Sequence, residues 1–125
     1  MAFQIITNNP FVQKKKELRA YVRYVDGTYK DVLTTVRDLV QQGYPLLSHP
    51  LSGSVKPNET PYKSVLVGTK RQSLDTWGEE IIEQSITACE KFPDLRRHWS
   101  DRVLSDFQYI DYTLLESAVQ GATAR

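Results

Sequence analysis

Residues 18–43, LRAYVRYVDGTYKDVLTTVRDLVQQG, pass from a strand pattern to a helix pattern across one turn, and that change of period decides the fold class. Leu18, Ala20, Val22 and Tyr24 share one face of an extended segment over 18–25, with Arg19, Tyr21 and Arg23 on the other. Asp26-Gly27 is turn chemistry. Because helical spacing follows it, the pair is read as a strand-to-helix turn and not as a hairpin. Thr28 with Asp31 three residues on resembles a capping box, Asp standing in for the usual Glu or Gln. Val32, Leu33, Val36, Leu39 and Val40 then trace one apolar stripe, and Gly43 stands where a helix C-cap belongs. The spacing predicts a helix over 28–42.

Outward from this unit, Phe3–Thr7 is a short apolar run with two isoleucines, read as a buried strand that Asn8-Asn9-Pro10 stops. Residues 13–17 have room for one or two helical turns. Tyr44–Leu47 is a candidate third strand, and Ser64–Gly68, with Val65-Leu66-Val67 inside, is another buried one. Ser73 is placed to cap a helix whose stripe is Leu74, Trp77, Ile81, Ile82, Ile86, Cys89 and Phe92, ended by Pro93. A last helix is expected from about Asp94 to Val119, with room for a break near Ser100. Its stripe is read as Leu95, Trp99, Val103, Phe107, Ile110, Leu114 and Ala118. Residues 121–125 are expected to fray. Strands alternating with helices predict an α/β fold. The expectation is a single small domain over 1–125, with a three- to four-stranded, mostly parallel sheet covered by helices in two or three layers and a long C-terminal helix.

Composition narrows the function classes. At 125 residues, 40% hydrophobic and 25% charged, the chain has the balance of one globular core. Sixteen basic against 15 acidic residues leave a formal charge of +1, which gives no field for nucleic acid or an anionic lipid surface. The block Lys14-Lys15-Lys16, closed by Glu17, reads as a solvated face. With one cysteine, Cys89, there is neither an intramolecular disulfide nor a cysteine-rich zinc site, and no cofactor is expected. No segment has the apolar length of a membrane span, and the first residues do not read as a signal peptide, so the expected location is cytoplasmic.

The stretch 48–63 is where chemistry is expected. Three prolines and a glycine exclude a regular element, and a loop this long without structure of its own is often functional. Ser52-Gly53-Ser54 offers hydroxyls and backbone N–H groups to an anion, and Lys56 and Lys63 offer countercharge. His49 can titrate near neutrality. Asn58, Thr60 and Tyr62 complete the polar set, and Asn8 and Asn9 would converge on the same edge if the strands run parallel. An alternative stands beside this one: Pro-, Ser- and Asn-rich loops also pin themselves by side chain–backbone hydrogen bonds and merely cover core.

Other motifs are missing or bland. Neither Gly-x-Gly-x-x-Gly after a strand nor Gly-x-x-x-x-Gly-Lys occurs, so dinucleotide and P-loop readings fail. His49 and His98 lack partners at ligand spacing, and no metal site is expected. Cys89 lies on an apolar stripe and reads as core. Glu79, Glu80 and Glu83 read as a solvated face. Tyr109 and Tyr112, beside the last helix's stripe, would widen it into a self-association face and allow a homodimer.

The run His49-Pro50-Leu51-Ser52-Gly53-Ser54-Val55-Lys56-Pro57-Asn58-Glu59-Thr60-Pro61-Tyr62-Lys63-Ser64 resembles the signature of GrdX-type proteins. Thr7-Asn8-Asn9-Pro10 and the turn Val25-Asp26-Gly27 are similar to that family as well, the likeness running over residues 4–92 without placing the last helix. The resemblance implies an accessory role beside the glycine, sarcosine and betaine reductase systems of amino-acid-fermenting anaerobes, with no catalytic residues to carry over. Three readings remain in play: a non-redox accessory protein binding a small anionic ligand through 48–64, an interaction partner of a reductase component, and a small enzyme using His49 and Lys56. The binding reading leads, and catalysis ranks last.

Overall fold

The computed structural model describes residues 2–51, 60–73, 76–91 and 99–123. Strand β1 is Phe3–Thr7, β2 is Val22–Tyr24 and β3 is Ser64–Gly68. They form a three-stranded sheet in the order β2-β1-β3. β1 pairs with β2 in parallel, Ile5 opposite Val22, and with β3 antiparallel, Ile5 opposite Leu66.

The helices are α1 (Pro10–Lys14), α2 (Tyr29–Gln41), α3 (Thr76–Lys91) and α4 (Asp101–Thr123). Alternation along the strands sorts the core into two. Ile6, Val65 and Val67 pack with Val32, Leu33, Val36, Ile82 and Ile86, which puts α2 and α3 on one face. Phe3, Ile5 and Leu66 pack with Val12, Leu115 and Ala122, which puts α1 and α4 on the other. The architecture is helix–sheet–helix, with β1 and β3 buried on both sides. Their strand cores, from Ile5 to Thr7 and over all of β3, show no exposed face.

The mixed sheet corrects the mostly parallel one that alternating elements suggest. Leu46 makes a single antiparallel bridge to Val67, so residues near 46 run alongside β1 and β2 in direction, as a third parallel strand would. The ladder ends there for a local reason. Gly68 N donates to Pro45 O and Leu47 N to Leu66 O, but Leu66 N is taken by the Ser48 hydroxyl at 2.9 Å. Pro45 has no N–H to add. The chain returns through 48–63 to lay β3 between this edge and β1, antiparallel to both. The candidate third strand at Tyr44–Leu47 is thereby reduced to one bridge.

Other boundaries shift for equally local reasons. The Asn-Asn-Pro stop is a helix start: Asn9 Oδ1 accepts from Phe11 N at 3.0 Å and Pro10 occupies the first turn, where its missing N–H costs nothing. The strand expected over 18–25 keeps only Val22–Tyr24, because Arg19–Tyr21 form a 3-10 turn with Tyr21 N donating to Leu18 O. Ala20 is exposed, and Tyr21 instead stacks on Phe3 with ring centroids 4.6 Å apart. The capping box is complete: Asp31 N donates to Thr28 Oγ1 and Thr28 N to Asp31 Oδ2.

The two late helices have the expected existence and a rotated register. In α3, Trp77 is 55% exposed, while Gly78, Ile82, Ser85 and Ile86 are buried. In α4 the buried line is Asp111, Leu115 and Ala122, and Ile110 of the expected stripe is 43% exposed. α4 starts at the expected break, with Ser100 Oγ accepting from Val103 N at 3.3 Å. It continues through Gly121 to Thr123, past the expected fraying point, because Ala122 packs into the second core. No helix among the described residues is long and apolar enough to cross a membrane.

Candidate functional site

The carboxyl ends of β1 and β2 and the start of β3 lie at one edge of the sheet, where the two helical layers also approach each other. Sheet pairing sets Thr7 opposite Ser64, and their hydroxyls lie 2.7 Å apart. Ser64 Oγ donates to Asp111 Oδ2 at 2.6 Å, and Asn9 Nδ2 donates to the same oxygen at 3.0 Å and to Gln108 O at 2.9 Å. The Asp111 carboxyl therefore holds α4 to the start of β3 and to the residue that caps α1.

Asn8 does similar work for the loop. Its Oδ1 accepts from Lys63 N at 2.9 Å, and its Nδ2 donates to Pro61 O at 2.8 Å and Gly27 O at 3.1 Å. One amide thus ties the end of the 48–63 segment to the turn that follows β2. Asn8 and Asn9 are buried, and both side-chain amides are engaged through oxygen and nitrogen alike.

Above this lattice lies a small cleft, partly open to solvent, with a free volume of about 20 Å³. Its polar lining is Tyr29, Thr60, Tyr62, Lys63 and Asp111, and its apolar lining is Phe107, Ile110 and Leu114. Gln108 Nε2 donates to the Tyr62 hydroxyl at 2.9 Å, and Trp99 meets Phe107 edge to face at 5.3 Å. Lys63 is 4% exposed and Asp111 6%. Burial holds the Lys63 ammonium below its ordinary value, with the Asp111 charge pulling partly the other way. Burial pushes the Asp111 carboxyl up, opposed by the hydrogen bonds from Ser64 and Asn9 and by the charge of Lys63. The Tyr29 phenol is pushed up by burial first, then by Cys89 and Asp111.

The sequence-expected residues divide accordingly. Thr60, Tyr62 and Lys63 line the cleft, while Asn8 and Asn9 converge beneath it as structural pins. They meet there because β3 begins where β1 ends, an antiparallel relation and not the parallel one anticipated. His49 is exposed and outside the cleft lining; its Nδ1 accepts from Leu51 N at 3.0 Å, a local turn contact. Ser52, Gly53, Ser54, Lys56 and Asn58 lie outside the described residues, as does His98.

Asp111, Tyr29 and Ser64 are the residues the sequence reading missed. Asp111 sits four residues from Phe107 and four from Leu115, a carboxylate at helical spacing between two apolar residues. Such a residue is seldom buried without partners, and that spacing was the available signal. Tyr29 precedes Val32, Leu33 and Val36 by three, four and seven positions, so it belonged to the stripe of α2 from the start.

Among the described residues no group of three or more His, Cys, Asp or Glu side chains gathers as a metal centre would require. Cys89 is half-buried and its thiol is raised by burial first.

A family model described as GrdX-like protein matches residues 4–120. The match therefore takes in most of α4, beyond the limit at residue 92 suggested by local motifs, and with it Asp111. No curated protein and no solved structure matches the chain.

Proposed function

The chain belongs to the GrdX-like protein family, and from that premise we propose that it is a non-redox accessory protein of glycine reductase-type amino-acid fermentation, working in the cytoplasm of an anaerobe and binding a small anionic ligand. The observation that carries the binding part is the placement of Lys63, a buried cation at the end of the family-like loop, in a cleft beside Thr60 and Tyr62. A cation in a low-dielectric wall attracts a carboxylate or phosphate more strongly than a solvated lysine does, and nearby hydroxyls can donate to the ligand's oxygens. Asp111 is drawn toward the strands by Asn9 and Ser64. The cleft therefore suits a compact anion or a zwitterion better than a polyanion.

A thermal-shift panel of amino acids, acetyl phosphate, nucleotides and simple anions tests this, with wild type beside Lys63→Met. A ligand at ~100 times its dissociation constant adds roughly 2.7 kcal/mol, a readable shift for a chain of this size. A shift in wild type that Lys63→Met abolishes supports the reading. A panel with no shift at all removes it.

A second reading rests on a different surface. Tyr109 is 59% exposed and Ile110 43% exposed on α4, beside the mouth of the cleft. Exposed aromatic and aliphatic side chains of this size favour a protein contact, either a second copy of the chain or a reductase component. Light scattering of wild type and of Tyr109→Ser/Ile110→Ser separates the self-association case. Co-purification with reductase components addresses the other.

A further inference from the structure

Independently of the cleft, we infer that the open edge of β2, with the basic turns that lead into it, is a docking surface for an extended acidic segment of a partner protein. Residues 10–24 run from the start of α1 to the end of β2. They hold 5 of the chain's 16 basic residues and 1 of its 15 acidic ones. The near-neutral total of +1 therefore combines a basic segment with an otherwise acidic chain.

The fold keeps these charges close together. Lys15 O accepts from Leu18 N at 3.1 Å and from Arg19 N at 3.0 Å, and Arg19 O accepts from Val22 N. The chain thus winds from α1 into β2 through tight turns. Lys14, Lys16, Arg19 and Arg23 are exposed, and among the described residues none of them forms an ion pair; the pairs that occur are Lys30–Glu90 and Arg37–Glu83. The Lys15 ammonium lies 4.7 Å from the Phe11 ring centroid and 5.0 Å from that of Tyr112. Those aromatic faces hold its position and leave its charge intact.

β2 is also an edge strand, paired with β1 on one side only. Val25 N donates to Thr7 O at 2.7 Å, so alternation turns the backbone of Arg23 toward β1 and that of Val22 and Tyr24 outward. Val22 N is taken by Arg19 O, which leaves Val22 O, Tyr24 N and Tyr24 O to meet an added strand. Val22 packs into the core shared with α1, so Arg23 projects from the other face of the sheet. A strand laid on this edge meets positive charge on both of its faces.

That charge selects the occupant. A second copy paired antiparallel about the middle of β2 would set Arg23 against Arg23, and like charges across a ladder are destabilising. Nucleic acid and lipid head groups match the charge but cannot continue the ladder at Tyr24. An acidic strand does both.

The test uses the intact chain and a fluorescein-labelled ~10-residue peptide of alternating Glu and Val, followed by anisotropy. Comparison peptides alternate Lys with Val, or Glu with Pro; the second keeps the negative charge and removes every other N–H. A thymidine oligonucleotide and phosphatidylserine vesicles are the non-protein arms. The expected result is binding of the Glu-Val peptide at least ~10-fold tighter than any other probe, weakened at least ~10-fold by Arg19→Glu/Arg23→Glu. Both positions are exposed, a thermal melt checks that the variant folds, and the wild-type comparisons decide without it. In hydrogen exchange the Tyr24 amide should gain protection in the complex. No Glu-Val binding at ~1 mM, or equal binding of the Glu-Pro peptide, overturns the inference. So does preference for the oligonucleotide or the vesicles, an unchanged Tyr24 amide, or indifference of a folded variant to the charge reversal.

Discussion

Asn8 and Lys63, 55 positions apart, face each other through both backbone and side chain. Lys63 N donates to Asn8 Oδ1 at 2.9 Å, and Asn8 N reaches Lys63 O at 3.4 Å. The last residue of the returning loop is thus fixed against the residue that follows β1, and the Lys63 side chain is delivered to the cleft by that contact.

Replacing Asn8 with Ala should therefore destabilise the protein by about 2–3 kcal/mol. The carbonyls of Pro61 and Gly27 and the amide of Lys63 all lose their side-chain partner, and unpaired buried groups cost roughly 1–3 kcal/mol each before water compensates. Denaturant melts measure the loss, and hydrogen exchange should localise it to the Lys63 amide. A change below ~0.5 kcal/mol would mean the loop is held elsewhere.

Ser64→Ala should cost about 1.5–3 kcal/mol where Asp111 is ionised, the range for a hydrogen bond to a charged group. Ser64 donates to Asp111 Oδ2, whose carboxyl burial raises and this bond lowers. The contribution exists only while Asp111 is ionised in the folded state. It should shrink as pH falls through the raised Asp111 value, and wild type and variant should converge in acid. Parallel urea melts across pH ~3–7 give the two curves, and a gap that stays constant with pH would contradict the assignment.

Tyr29→Phe isolates an alkaline effect. Tyr29 ionises in the folded state only well above its ordinary value, so the folded protein holds a proton that the unfolded chain has released. Stability from this group is complete below the unfolded pKa of ~10 and is lost as pH rises through the window toward the raised value. Wild type should lose about 1 kcal/mol more than the variant between pH ~10 and ~11, since one proton corresponds to roughly 1.4 kcal/mol per pH unit. Equal slopes would place Tyr29 in a wetter setting than its 6% exposure indicates.

Gly43→Ala should destabilise by about 1–3 kcal/mol. Gly43 has φ +103°, and a Cβ there would meet Gln72 O at 2.9 Å. The close approach is itself useful, because Gln72 N donates to Gly43 O at 2.8 Å and ties the end of α2 to the segment after β3. Thermal melts suffice, and a variant as stable as wild type would show that this backbone relaxes freely.

Local patterns made much of the fold legible. The helix expected over 28–42, with its capping box and the glycine after it, follows from spacing and cap chemistry that act within a few residues. Phe3–Thr7 and Ser64–Gly68 could be read as strands because a double-sided core leaves them continuously apolar. The approximate site was legible too: Tyr62 and Lys63 were marked by the polar, proline-rich segment they close, and Asn8 and Asn9 by turn chemistry.

The misreadings share one cause, which is that a helix or strand pattern does not state its partner. The stripe of α4 was drawn through Ile110, while the structure turns Asp111 inward. Hydrophobicity favours Ile110 in isolation, but Asn9 and Ser64 supply the hydrogen bonds that make a buried carboxylate tolerable. Those donors lie 102 and 47 positions away, beyond any local window.

By itself the sequence determined the α/β class, the apolar strands, the capped second helix and the neutral charge balance, because each depends on periodicity, capping or composition within a short span. The tertiary structure alone decided that β3 runs antiparallel to β1 and that the inward face of α4 carries Asp111. It also set Lys63 across one cleft from Phe107 and Ile110. These features rest on contacts between segments far apart in the chain, where direction and partner are set by which buried polar groups satisfy one another and which apolar faces close the core.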